Sequence, residues 1–304
     1  MLNNNLSNFK TIEVGGYKLP ADFKYLDKAF LSSLIGKDFS EKVKSVYSKI
    51  SGRIFDFEDF SNFLEVFILD DSICAIDFST LKNANYNDFI FDDIDLFGQV
   101  SSIISYITAS YLDLVESNVI KLFEEVNFAT PLSDGLFMLS LFIAKIIGLP
   151  INTLIVGSET PINETLKNVY FDCFTSEEIE DIIGVFYDEY GIAVDFISAL
   201  SICAMDGYYD NYIDDNRLCV TLLISSPYLF SRKVLKAITG EAELSVSRAL
   251  EKLYLETSSE IPESIVNNEI PPYYVQKEKL PYNIAISFIK ALSKVWFLFI
   301  SMIY

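Results

Sequence analysis

The sequence predicts an α/β fold in three layers, a parallel or mixed sheet flanked by helices, with a mostly helical N-terminal region. Three observations carry this. Helix signals are frequent and bounded by caps and stops. Short runs rich in β-branched and aromatic residues lie between them. The two kinds alternate through the second half of the chain, which is the order that builds βαβ units. With 304 residues, 51% hydrophobic and 14% aromatic, the chain has ample material for a packed core and is not disordered.

The opening "MLNNNLSNFKTIEVGG" lacks a basic stretch followed by an apolar run, so no secretory signal is expected and the expected compartment is the cytoplasm. "FSEKVKSVYSKISG" (39–52) reads as a helix, with Ser40 at the N-cap, Val43, Val46, Tyr47 and Ile50 on one face, and Gly52 past the end. The polar stretch 79–95, "STLKNANYNDFIFDDID", is the expected organisational break, dividing a region 1–80 from an α/β core 81–304. Helices are expected at 97–114 and 136–147. The second opens after a turn-rich loop and stops at Gly148 and Pro150, before the buried-strand pattern "NTLIVG". "FTSEEIEDIIGVFYDEYG" (174–191) carries a capping box, Thr175 with Glu178, then an apolar stripe of Ile179, Ile182, Ile183 and Phe186, and Gly191 as the stop. Helices at 196–205 and 227–238 flank a second buried-strand pattern, "LCVTLLI". The tail "VWFLFISMIY" (295–304) is apolar but far short of the roughly 20 residues a bilayer span needs, so it is expected to pack on the core or on a second subunit.

Composition removes whole classes of function. A net charge of −20 opposes phosphate backbones and anionic membranes, so no nucleic-acid partner is expected. The absence of histidine removes Ser-His-Asp and Cys-His activation and every His-ligated metal site. Cys74, Cys173, Cys203 and Cys219 are scattered among apolar neighbours without a Cys-x-x-Cys and read as buried, reduced core residues. Acidic groups at Asp92, Asp93 and Asp95 and from Asp206 to Asp215 lack the spacing of a calcium loop and read as solvated loops. Tyr208, Tyr209 and Tyr212 read as packing.

Four blocks in order resemble the threonine synthase family, pyridoxal-phosphate enzymes that convert O-phosphohomoserine to threonine. "GGYKLPADFKYLDKAFLSSLIGKDFSEKVKSVYSKISG" is similar to that family's opening segment. "DLFGQVSSIISYITASYLDL" is similar to its Asn-Trp-Ala-Arg helix, with Gln99 in place of the Arg. "FATPLSDGLFMLSLFIAKIIGLPINTLIVGSE" resembles its phosphate loop, helix and strand, and "YDEYGIAVDFISAL" its late Asp-Pro-His-Thr-Ala segment. The resemblance implies a fold type II pyridoxal-phosphate scaffold, shortened where family members carry a longer middle region.

The residues that such chemistry needs are the ones that differ. The family's lysine segment is matched by "EVFILDDSICAIDF" (65–78), which puts Ile76 at the lysine position, and an aliphatic group forms no Schiff base. The family's Gly-Asn-x-Gly-Asp falls on Ser133, Asp134, Gly135, Leu136 and Phe137. Side chains replace both glycines, and Asp134 brings a like charge to a phosphate. Asp195, Phe196, Ile197, Ser198 and Ala199 stand for Asp-Pro-His-Thr-Ala, keeping the helix-capping Asp and losing the histidine. Ile224, Ser225, Ser226 and Pro227 stand for Thr-Ala-His-Pro.

The resemblance therefore implies a threonine synthase-like protein that has lost catalysis and its pyridoxal phosphate, with vestigial loop positions Ser133, Asp134, Gly135 and Leu136 and no catalytic or metal-ligating residue. Two alternatives stand beside it: a residual enzyme using another lysine, such as Lys82 or Lys145, and a binding or regulatory protein on the same scaffold. A homo-oligomer is expected through an exposed sheet edge and the apolar tail.

Overall fold

The computed structural model describes residues 11–21, 23–54, 65–78, 95–132, 135–241, 244–258, 261, 265 and 280–303; side-chain surroundings are described neither for residue 65 nor beyond residue 294. Among them the N-terminal region begins with a hairpin, β1 (Thr11–Val14) and β2 (Tyr17–Pro20), turning on Gly15 and Gly16, both at positive φ. Helices α1 (Lys28–Leu34) and α2 (Phe39–Ser51) follow. Asp38 rather than Ser40 caps α2, accepting from the Glu41 N–H at 2.7 Å. Asp38 stands at the position just before the first helical residue, where a capping oxygen must be, and Ser40 lies already inside the first turn. Gly52 ends α2 at φ 68°, as its sequence position implies.

Six strands form the main sheet in the order β3-β4-β8-β5-β6-β7. β3 (Glu65–Ile68) pairs antiparallel with β4 (Ile73–Asp77), and all the other pairings are parallel. After β4 the described chain resumes in α3 (Leu96–Glu116), followed by β5 (Val126–Pro131), α4 (Gly135–Ile146), β6 (Ile151–Ser158) and β7 (Val169–Cys173). Then come α5 (Ser176–Tyr190), α6 (Phe196–Asn211) and β8 (Cys219–Leu223), which inserts between β4 and β5. A 3-10 turn (Pro227–Phe230), α7 (Ser231–Thr239), α8 (Val246–Thr257) and α9 (Tyr282–Ile303) complete the chain. The expected helix at 227–238 is thus two pieces, because Pro227 opens a tight turn capped by Ser226 before the α-helix starts.

Strand side chains alternate between two cores. Cys74, Ile76, Phe128, Leu154, Val156, Val220 and Leu222 point to one, with α2, α3, α4 and the first turns of α9. Ala75, Ala129, Ile155, Cys219 and Leu223 point to the other, with α5, α6, α7 and α8. Helix α5 keeps the expected capping box and Gly191 stop. Helix α6 lies so close to β6 that a β-carbon on Gly157 would come 1.9 Å from the Leu200 carbonyl oxygen. Cys74, Cys203 and Cys219 are buried as expected. Cys173 is exposed, because it ends the edge strand β7 where the chain leaves the sheet.

Candidate functional site

In an open α/β sheet a ligand crevice forms outside the carboxyl ends of the strands, where neighbouring connections leave toward opposite faces. Here that place lies between β5 and β8. The chain leaves β5 for α4 on one face, and leaves β8 for the 3-10 turn and α7 on the other.

The floor of this edge is built from local signals. Asp195, fully buried, caps α6 by accepting from the Ile197 N–H at 2.8 Å and the Ser198 N–H at 3.2 Å, and the Ser198 hydroxyl also bonds its carboxylate. The Ser198 hydroxyl in turn accepts from the Ile224 N–H at 3.0 Å, tying the α6 cap to the end of β8. Ser225, 4% exposed, has a hydroxyl without a hydrogen-bond partner among the described residues. At the end of β4 the Phe78 N–H donates to Leu223 at 2.8 Å. Its ring packs edge-on against Phe137, 5.2 Å away, and against Tyr106. Aromatic side chains therefore pack beside the start of α4.

Ile76 lies on β4, the strand next to the β3 edge of the sheet. Its backbone pairs with Val66 on one side and Leu222 on the other, and its side chain is fully buried in the α3/α4 core. The position offers no amine and no opening. Ser133 and Asp134 lie outside the described residues. Gly135 and Leu136 are the first two residues of α4, and both are buried. The Gly135 N–H donates to the Leu280 carbonyl oxygen at 3.2 Å, so this helix N-terminus is met by the chain entering α9. Sequence reasoning gives no sign of this partner, which comes from far along the chain.

Of the two lysines named as alternatives, the one described, Lys145, does not reach this edge. Lys82 is outside the described residues. Lys145, at the other end of α4, donates to the Ile151 carbonyl and to the Asn152 carbonyl at 2.6 Å, at the amino end of β6, and burial pushes its ammonium pKa down. Lys233 stands over the Phe196 ring, 3.7 Å from its centroid.

The opposite edge of the sheet carries an open groove of about 440 Å³ lined by Asn152, Tyr208, Tyr212, Asp215 and Arg217, among others. Its base is a closed polar network. Fully buried Asn127 donates to Tyr209 at 3.0 Å and to Asp215 at 3.1 Å, and accepts from Asn152 at 3.0 Å. Asp215 accepts further from Tyr208 at 2.8 Å and Arg217 at 2.9 Å. Burial alone would raise the Asp215 carboxyl, but these donors outweigh it and hold the pKa below the ordinary range. Tyr208 is buried and stacks on Tyr212 at 4.7 Å, in keeping with a packing role. Among the described residues no group of His, Cys, Asp or Glu could hold a metal ion, and no helix is long and apolar enough to cross a membrane. Of the acidic stretch at 92–95, only Asp95 is described. It caps α3 and pairs with both terminal nitrogens of Arg53, at 3.0 and 2.8 Å.

No family model matches the sequence, and no curated protein does. Solved structures do match. A threonine synthase from Brucella melitensis, determined with pyridoxal phosphate bound, superposes with a TM-score of 0.55 over 81% of this chain and 89% of that one, at 11% identity. The yeast enzyme gives 0.42 over 61% of this chain and 54% of its own, at 12% identity. That from Escherichia coli gives 0.38 over 51% and 44%, at 14% identity. The first of these likenesses is close enough to define a shared architecture, and the chain has a threonine synthase-like fold.

Proposed function

We propose that this chain is a threonine synthase-like scaffold that performs no pyridoxal-phosphate chemistry, a pseudoenzyme of that fold. The observation that carries the reading is Ile76. When bound, pyridoxal phosphate supplies an aldehyde that must be anchored by an amine and a ring that accepts electrons from the substrate. The segment of this sequence that resembles the family's lysine segment places a fully buried isoleucine at that position, paired on both sides within the sheet. Further support comes from Leu280, whose carbonyl takes the Gly135 N–H, and from Phe137, an aromatic where the family loop ends in an acid. The residues present do not fit the cofactor.

The competing reading, a residual enzyme acting on O-phosphohomoserine, needs an amine other than position 76, such as Lys82 or Lys145, and Lys82 is the nearest in sequence to the expected position. Purified protein mixed with pyridoxal phosphate is expected to show no shifted aldimine absorbance and, after borohydride, no pyridoxyl-lysine by mass spectrometry. Stoichiometric labelling of one lysine together with threonine formation from O-phosphohomoserine would make the chain an enzyme and end the pseudoenzyme reading.

A further inference from the structure

At the N-terminus of α4 the protein's own chain stands where a bound anion would stand. A ligand oxygen held by the Gly135 N–H would sit about 2.9 Å from that nitrogen. The Leu280 carbonyl oxygen already occupies that direction at 3.2 Å. The approach is tight on the carbon side too. A β-carbon on Gly135 would come 2.8 Å from the Leu280 oxygen, 2.8 Å from the Ala285 β-carbon and 3.3 Å from the Tyr282 α-carbon. Gly135 is not among the glycines at positive φ, so its backbone does not itself demand glycine. What demands it is the contact with the entry to α9.

That entry is firmly seated. Ala285, Phe288 and Ile289 are fully buried and Leu292 is 2% exposed, all in the core they share with Leu136, Phe137 and Leu141 of α4. On its flanks Ile284 reaches the hairpin at Gly15, and Lys290 pairs with Glu164 in the β6–β7 connection at 2.6 Å. The helix therefore ties three separate parts of the chain together across the carboxyl edge of the sheet.

We propose that α9 is an internal stopper: its first turn permanently occupies the anion-facing end of α4, so the folded chain admits no phosphate group there unless α9 undocks. This deepens the pseudoenzyme reading, on which it rests for the identity of the excluded group, but it makes a separate physical claim. A free helix N-terminus attracts anions through its unpaired N–H groups and its dipole. Here the first of these N–H groups is already bonded to a carbonyl of the same molecule, and backbone packs against the helix end, which blocks the approach.

Amide hydrogen exchange on the full-length protein tests this. The Gly135 amide is expected to be protected, and its exchange is expected not to change on adding millimolar inorganic phosphate or pyridoxal phosphate. Slowing of Gly135 exchange by phosphate would overturn the proposal, as would fast exchange of that amide in the free protein. The variant Gly135→Ala gives a second measurement. With α9 in place the added methyl has no room, and exchange across 282–292 should accelerate by at least about tenfold as the helix loosens. If the variant is instead more stable and α9 keeps its protection, the end of α4 is open and the proposal is wrong. A pyridoxyl-lysine with an unperturbed Gly135 amide would remove the pseudoenzyme reading and leave the stopper standing; phosphate protection of Gly135 without an adduct would do the reverse.

Discussion

Replacing Lys42 by methionine should destabilise the fold by about 1–3 kcal/mol, between the cost of breaking an exposed ion pair and that of breaking a buried one. Lys42 sits on α2 with its side chain 1% exposed, its ammonium 2.5 Å from Asp113 and 2.8 Å from Glu116 on α3. Burial opposes the charge, yet hydrogen bonds to Asp113 and Glu116 outweigh it and raise the ammonium pKa above the ordinary lysine value. The two acids respond differently. Burial dominates at Asp113 and pushes it up, whereas at Glu116 the bonds from Lys42 and the Gly36 N–H overcome burial and pull it down.

Both carboxylates remain about a third exposed, at 35% and 31%, so on loss of the lysine they can rehydrate in part, which removes the upper end of the buried-pair cost. Methionine keeps the apolar stem buried, so the charge is what the experiment isolates. Lys42→Ala should cost about 2 kcal/mol more for the lost stem. The assay is urea unfolding followed by circular dichroism, reading a lower midpoint at unchanged slope. The sign with pH follows from the raised pKa. The stabilisation is fully present below the unfolded lysine value and is lost as pH rises through the folded one, so the deficit of the variant should hold from pH 7 to 9 and shrink in strong alkali. Equal or greater stability of Lys42→Met at pH 7 would refute the reasoning, because the three charges would then contribute nothing beyond a packed stem.

Two further substitutions probe other parts of the fold. Gly157→Ala forces a methyl into the Leu200 backbone and should cost about 3 kcal/mol or more, visible as poor soluble yield or a strongly lowered midpoint, while a near-neutral result would mean that α6 stands farther from β6 than described. Asp206, beside Asp210 and Glu189, is raised by burial and by these charges to about 6. A carboxyl raised in the folded state costs stability as pH rises from its ordinary value of 3.8 to about 6, and the full cost persists above that, so Asp206→Asn should raise the thermal midpoint at pH 8 and leave it nearly unchanged well below the ordinary value; the opposite pattern would contradict the assignment.

Local signals translated well into local structure. Thr175, Glu178 and Gly191 bound α5 as their chemistry requires, and the apolar runs at 152–157 and 218–224 are central strands of the sheet. The hairpin turning on Gly15 and Gly16 was not anticipated, although a Gly-Gly pair between two short alternating runs is the kind of signal that marks one. The substitutions at the candidate site are readable residue by residue, since Ile76 and Phe137 announce their lack of polar chemistry. What fills the site is not readable. Leu280 reaches Gly135, and Phe78 reaches Phe137, only through the tertiary path of the chain, and a backbone carbonyl leaves no trace in residue identity.

The insertion of β8 between β4 and β5 has a consequence for how the protein is made. On one side β3 and β4 form a two-strand piece, and on the other β5, β6 and β7 form a three-strand piece; β8 alone joins them, and it is encoded after all of them. Until residue 223 has left the ribosome, the inner edges of both pieces are exposed templates with unpaired backbone groups. Sheet closure by so late a strand rests on contacts far apart in sequence, which slows folding and lengthens the time in which those edges can meet other chains. A nascent chain stalled before β8 should therefore be held by chaperones and be sensitive to protease, and resistance should arise only in chains long enough to deliver that strand.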